Sequence, residues 1–153
     1  MNSFLIFSIV TLFWSLGYVQ PETVQHTKCP TDTKKCDIHQ VRINPCPDAR
    51  EGKPCRMFRG TNGSIEFDFT PKFSGSQIGA RIYWASWFDV PFLDMNSDGC
   101  LYTTCPMEAG KNYTFKYGIL IKSWYPTGNY PIKLKVWNEQ NEECCFKYFM
   151  KLR

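Results

Sequence analysis

Eight cysteines constrain this chain more than any other feature: Cys29, Cys36, Cys46, Cys55, Cys100, Cys105, Cys144 and Cys145. All of them follow the opening stretch MNSFLIFSIVTLFWSLGYVQ. Its apolar run, Phe4 to Leu16, falls short of the roughly 20 residues that span a bilayer. Ser15 and Gly17 supply the small-x-small spacing of a signal-peptidase site. Residues 1–17 are therefore read as a signal peptide, and 18–153 as one mature domain of ordinary size. No second hydrophobic span follows, so a soluble product is expected. An even cysteine count behind such a leader points to disulfides. Zinc is the competing use of cysteine, and it fits poorly: neither His26 nor His39 has a ligand-like spacing to the cysteines, and exported thiols oxidise. No metal and no cofactor is expected.

Between the cysteines the apolar residues recur at every second position. Ile38, Val41 and Ile43 suggest a short strand, stopped by Asn44-Pro45-Cys46-Pro47 because proline lacks a ladder donor and restricts its neighbour. Cys46 and Cys55 would close the polar loop that follows. From Gly63 to Thr70, Ile65, Phe67 and Phe69 face one way and Glu66, Asp68 and Thr70 the other. Ala80 to Phe88 is apolar on both sides, as in a central strand or one bordering a second apolar surface. Pro91 then reduces Val90-Pro91-Phe92 to an irregular edge. Tyr113 to Ile121, Ile132 to Val136, and Phe146 to Leu152 alternate again, separated by the turn Tyr125-Pro126-Thr127-Gly128-Asn129. No segment has a helical period. Short strands at fairly regular spacing read as an all-β sandwich of two antiparallel sheets.

The charge excludes some functions. The net charge is +4 and the lysines are scattered, unlike the basic stripe of a nucleic-acid binder. No nucleic-acid partner is expected, while weak attraction to an anionic membrane surface is compatible with this charge. No Gly-x-Ser-x-Gly elbow or His-Glu-x-x-His motif occurs, and Asp94 and Asp98 lie on a turn, where acids cap backbone groups. An enzyme is not expected. Aromatic residues make up 16% of the chain, more than a core this size needs unless rings also line something. Trp84 to Pro106 reads as the mouth of an apolar cavity beside a loop pinned by Cys100 and Cys105. Asn62-Gly63-Ser64 and Asn112-Tyr113-Thr114 are glycosylation sequons.

Several motifs, in order, resemble the ML lipid-recognition domain, in particular its Niemann–Pick type C sterol-transfer branch and the arthropod members of it. They are Asn44-Pro45-Cys46-Pro47 with Pro54-Cys55, Phe67-Asp68-Phe69-Thr70, Val90-Pro91-Phe92, Asp98-Gly99-Cys100, Cys105-Pro106, Lys122-Ser123-Trp124-Tyr125-Pro126, Val136-Trp137, and a cysteine opening the last strand. The resemblance covers the mature chain. It implies an immunoglobulin-like β-sandwich whose two sheets splay to admit a lipid. The family's pocket positions fall on Val90, Phe92, Ile121, Tyr125 and Pro126, with Phe92 a movable ring at the mouth and Tyr125 facing it. Trp84, Phe67, Phe115 and Trp137 are further wall candidates. For the cysteines the resemblance implies Cys46–Cys55 and Cys100–Cys105, then Cys29–Cys145 with Cys36–Cys144; the swap, Cys29–Cys144 with Cys36–Cys145, stays open. The chain departs from the family in its longer Cys46–Cys55 loop, in Trp87 and Trp124 near the entrance, and in Leu93-Asp94-Met95 where prolines are usual. A looser, more polar mouth is expected there.

The function implied is a secreted, monomeric carrier of a sterol or similar hydrophobic small molecule, extracellular or in the lysosomal lumen. Two alternatives stand beside it: a carrier of fatty acids or semiochemicals, and an innate-immune sensor of microbial lipid acting with a receptor. The sensor would call for a basic rim, for which Lys111, Lys116 and Lys122 are the candidates. Docking to a membrane surface or a receptor is compatible with either use.

Overall fold

A computed structural model describes residues 21–30 and 35–153; the signal peptide expected over 1–17 lies outside them. Among the described residues the alternating segments form ten strands. They are β1 (Glu22–Thr23), β2 (Thr27–Lys28), β3 (Cys36–Asn44), β4 (Cys55–Met57), β5 (Asn62–Pro71), β6 (Gly79–Ala85), β7 (Asp89–Pro91), β8 (Tyr113–Leu120), β9 (Gly128–Trp137) and β10 (Glu143–Leu152). One sheet has the order β1-β3-β5-β8 and the other β2-β10-β9-β6-β7, with β4 beside the end of β10. All pairings are antiparallel except β4–β10, which is parallel. The Cys46–Cys55 loop carries a short 3-10 turn, Pro47–Glu51, and returns the chain to that edge.

Period two explains the inward faces, with one irregularity. Ile38 and Val41 are three apart, yet both are buried. A register shift between Ile38 and Gln40 reconciles them, because the extra residue of a bulge resets the alternation. The expected strand to Phe88 stops at Ala85 instead. The chain turns at 86–88 so that Asp89–Pro91 pairs back on β6, which leaves Trp87 99% exposed and Phe88 exposed beside it.

The core is graded along the strands. Toward one end Phe67 stacks on Phe115 at 5.0 Å, tilts against Phe69 at 5.1 Å and meets Phe146 edge-on at 4.9 Å, all four rings being buried. The Cys36–Cys144 disulfide joins β3 to β10 at this end, so it links the two sheets. Its neighbour Cys145 bonds Cys29 and ties the N-terminal segment to the same strand. Adjacent strand residues face opposite ways, which gives each cysteine its own partner. Cys46–Cys55 and Cys100–Cys105 close their local loops. Toward the other end, where β10 finishes and β9 begins, the inward residues of these two strands are Ile132, Met150 and Leu152. Asn62 and Asn112 are both exposed.

Two ionisable groups make stability depend on pH. Burial holds the His26 imidazole below its usual value, where its ring meets Phe146 edge-on at 5.7 Å. The unfolded chain then takes up a proton more readily than the folded one. This contribution is full above roughly pH 6.5, the unperturbed value, and is lost as pH falls toward the lowered native one. On the outer face of the four-stranded sheet, hydrogen bonds from the Arg42 guanidinium hold the Asp68 carboxyl below the usual carboxylate range. That contribution is present above the unfolded value of roughly 3.9 and is lost as pH falls through the lowered native value. The urea midpoint should therefore drop between about pH 7.5 and 5.5, and His26→Gln should remove most of that drop. An equal drop in the variant would assign the mild-acid loss to another group.

Candidate functional site

At the end away from the Phe67 cluster the sheets part around a cavity of about 380 Å³. From β6 and β7 come Trp84, Val90 and Pro91, and from the loop after β7 come Phe92, Leu93 and Asp94. The segment after β8 supplies Ile121, Trp124, Tyr125 and Pro126, and the facing ends of β9 and β10 supply Tyr130, Ile132, Met150 and Leu152. Except for Asp94 and the tyrosine hydroxyls, these side chains are apolar or aromatic.

Local backbone bonds place the mouth. Pro91 ends β7, and the Phe92 amide then donates to the Ile82 carbonyl at 2.9 Å, which turns the Phe92 ring inward. Ile121 continues the inward alternation of β8 beyond its last paired residue, and its amide and carbonyl bond residues 61 and 60. The Tyr125 amide donates to the Lys122 carbonyl, closing the turn that brings Trp124 and Tyr125 over the opening. Phe92 and Tyr125 meet edge to face, with centroids 6.2 Å apart. Trp124 caps Tyr125 at 4.6 Å. Lys122 and Asp94 form an ion pair of 3.2 Å at the same opening. Burial raises the Tyr125 phenol above its usual value, and the Asp94 carboxylate adds to this, so the hydroxyl stays neutral. Leu93 (84% exposed) and Trp124 (73%) stand at the rim in solvent.

Behind Phe92 and Ile121 lies a second void of about 20 Å³, with Ile43, Ile65, Ile82, Ile119 and Tyr148 among its walls. It shares Phe92, Ile121, Ile132 and Met150 with the larger cavity. These four side chains therefore stand between the two spaces.

Of the residues expected at the site, Val90, Phe92, Ile121, Tyr125, Pro126 and Trp84 are brought together here. Phe67 and Phe115 are not. They belong to the packed aromatic cluster farther along the same inner faces, where neither touches open space. Trp137 is on the outer face of β9, opposite Gly79, where a Cβ would come within 2.3 Å of its ring. The chain thus keeps a glycine under that ring, and Trp137 is no cavity wall. Met95, expected at the looser mouth, is buried in the core. The three lysines proposed for a basic rim do not gather: Lys111 pairs with Glu108, Lys116 with Glu66 on the outer sheet face, and only Lys122 is at the mouth. Sequence reasoning placed Ile132, Met150 and Leu152 on alternating strands without marking them as site residues, and it did not place Tyr130. Alternation gives the face of a residue but not its depth between the sheets.

A profile of the ML domain family matches residues 23–152. The chain belongs to the ML domain family. Its similarity to an MD-2-related lipid-recognition protein of Manduca sexta is 42% identity over 121 residues, 77% of each chain. It is 27% identical over 107 residues to NPC intracellular cholesterol transporter 2 of Bos taurus, 69% of each chain. The crystal structure of a Niemann-Pick type C2 protein from the Japanese carpenter ant superposes with a TM-score of 0.74 at 18% identity, covering 84% of this chain and 99% of that one. The ML fold thus accounts for both sheets. Among the described residues no group of three or more His, Cys, Asp or Glu side chains is arranged to hold a metal ion.

Proposed function

We propose that this ML domain is a secreted, non-catalytic carrier that takes up a sterol-like or long-chain lipid between its sheets. The observation that carries this reading is the apolar cavity at the splayed end of the sandwich, walled by Phe92, Ile121, Ile132, Met150 and Leu152. Its volume of about 380 Å³ lies in the range of small-molecule pockets. Its work is desolvation: a ligand gains on the order of 25 cal/mol per Å² of apolar surface removed from water. The relatives named for lipid recognition and cholesterol transport support the ligand class. Four disulfides and the signal peptide expected from the sequence support export to an oxidising compartment, where the exposed sequons at Asn62 and Asn112 would accept glycans. A carrier is favoured over a receptor-docking sensor because the lysines that would form a basic rim are dispersed and acid-paired.

Native mass spectrometry of protein purified from its own source tests this directly. A bound lipid is the expected result and would name the ligand class. Phe92→Ala is expected to weaken uptake of a fluorescent sterol or fatty acid about tenfold, the worth of one aromatic contact face, with little loss of fold. Unchanged affinity would place the entrance elsewhere.

A further inference from the structure

Tyr148 is the inward residue of β10 between Phe146, in the packed aromatic cluster, and Met150, which lines the cavity. It is 7% exposed and borders the inner void. Its hydroxyl has no hydrogen-bond partner among the described residues. The other polar residue at that void is Ser64, whose register partners Asn44 and Gly118 and whose inward neighbour Ile65 put its side chain on the outer face of β5. The rest of the lining is aliphatic, aromatic or methionine. The hydroxyl makes no bond to the protein and is not sealed from a water-sized molecule, so it offers an open donor and acceptor that phenylalanine would lack. Burial also keeps the phenol protonated, well above its ordinary value, so it is available as a donor as well as an acceptor.

We infer that the cavity takes its ligand with an uncharged polar end innermost, a hydroxyl or carbonyl oxygen hydrogen-bonded to Tyr148. This rests on the carrier reading and adds the ligand's chemistry and orientation. The void of about 20 Å³ has room for one small polar group and for no more. It adjoins the large cavity across the shared side chains of Phe92, Ile121, Ile132 and Met150. An ionised end is unsuited to the same place, since no lysine or arginine borders either space and an unpaired buried charge is costly. A carboxylate belongs instead at the mouth, where Lys122 stands beside Asp94. The site therefore selects among chains and rings of similar size by the group at the leading end.

Displacement of the dye N-phenyl-1-naphthylamine by three probes of equal chain length tests this: a primary alcohol, a 2-ketone and a 1-alkene. The wild-type protein is expected to prefer the alcohol and ketone over the alkene. Tyr148→Phe should weaken both oxygenated probes about tenfold, the worth of one buried hydrogen bond. It should leave the alkene unchanged or tighter, with no fall in Tm. Tyr125→Phe, which removes the hydroxyl at the mouth, should leave the preference intact. A preference that survives Tyr148→Phe, or one that disappears with Tyr125→Phe, overturns the inward orientation. Binding of all three probes with equal affinity overturns this inference alone. Failure of every probe to displace the dye overturns the carrier reading together with it.

Discussion

Replacing the inter-sheet disulfide by serines, Cys36→Ser with Cys144→Ser, is expected to cost about 2–3 kcal/mol of stability. Cys29–Cys145 already closes almost the same span, so in the chain-entropy account Cys36–Cys144 adds the short ring through residues 29–36 and 144–145. The expected loss is a substantial part of the roughly 5–15 kcal/mol by which domains of this size are stable. Its place in the fold makes it matter further. It clamps the sandwich at the end where Phe67, Phe69, Phe115 and Phe146 pack, while the far end holds open space. A sandwich that keeps a cavity forgoes part of its packing attraction, and the bridge compensates at the closed end. Guanidinium unfolding of the double variant checks this. A loss below about 1 kcal/mol would show that the aromatic cluster alone holds the sheets together.

The second large effect is on ligand uptake. Leu152→Trp adds an indole to the wall of the large cavity at a position that does not border the inner void. Affinity for a fluorescent sterol or fatty acid is expected to fall at least about a hundredfold, roughly 2.7 kcal/mol. Stability should change little, because the added ring fills existing space instead of forcing packed neighbours apart. Fluorescence titration beside a thermal melt separates the two effects. Full-strength binding by a folded Leu152→Trp variant would mean that the ligand sits outside this cavity.

The Trp84–Pro106 stretch shows how far sequence reasoning reaches. Val90, Phe92 and the Cys100–Cys105 loop stand where the motif order put them, and Tyr125 faces Phe92 as the family likeness implied. Leu93-Asp94-Met95 was legible only as a departure. In the fold the three residues separate: Leu93 goes to the rim, Asp94 pairs with Lys122, and Met95 enters the core. Adjacent residues in an irregular loop have no fixed period, so nothing local in the sequence could sort them. Trp87 is a related case. Its apolarity read as one side of a strand, but the tight return of β7 onto β6 ends that strand two residues earlier.

The sequence by itself determined the class of the molecule. Its period-two runs require strands with one buried face, its eight cysteines require staples, and its ordered motifs give the family. Only the tertiary structure decided where along those strands the core stops and the cavity begins. Phe67, Phe115, Ile132, Tyr148 and Leu152 all obey the same alternation, yet the two phenylalanines are packed solid, Tyr148 borders the inner void and Leu152 lines open space. The reason is geometric. Alternation fixes the side of the sheet to which a residue points, whereas the gap it meets depends on how far apart the second sheet stands at that level. That separation is set by contacts between residues distant in sequence, above all the Cys36–Cys144 bridge and the rings of Phe67, Phe115 and Phe146.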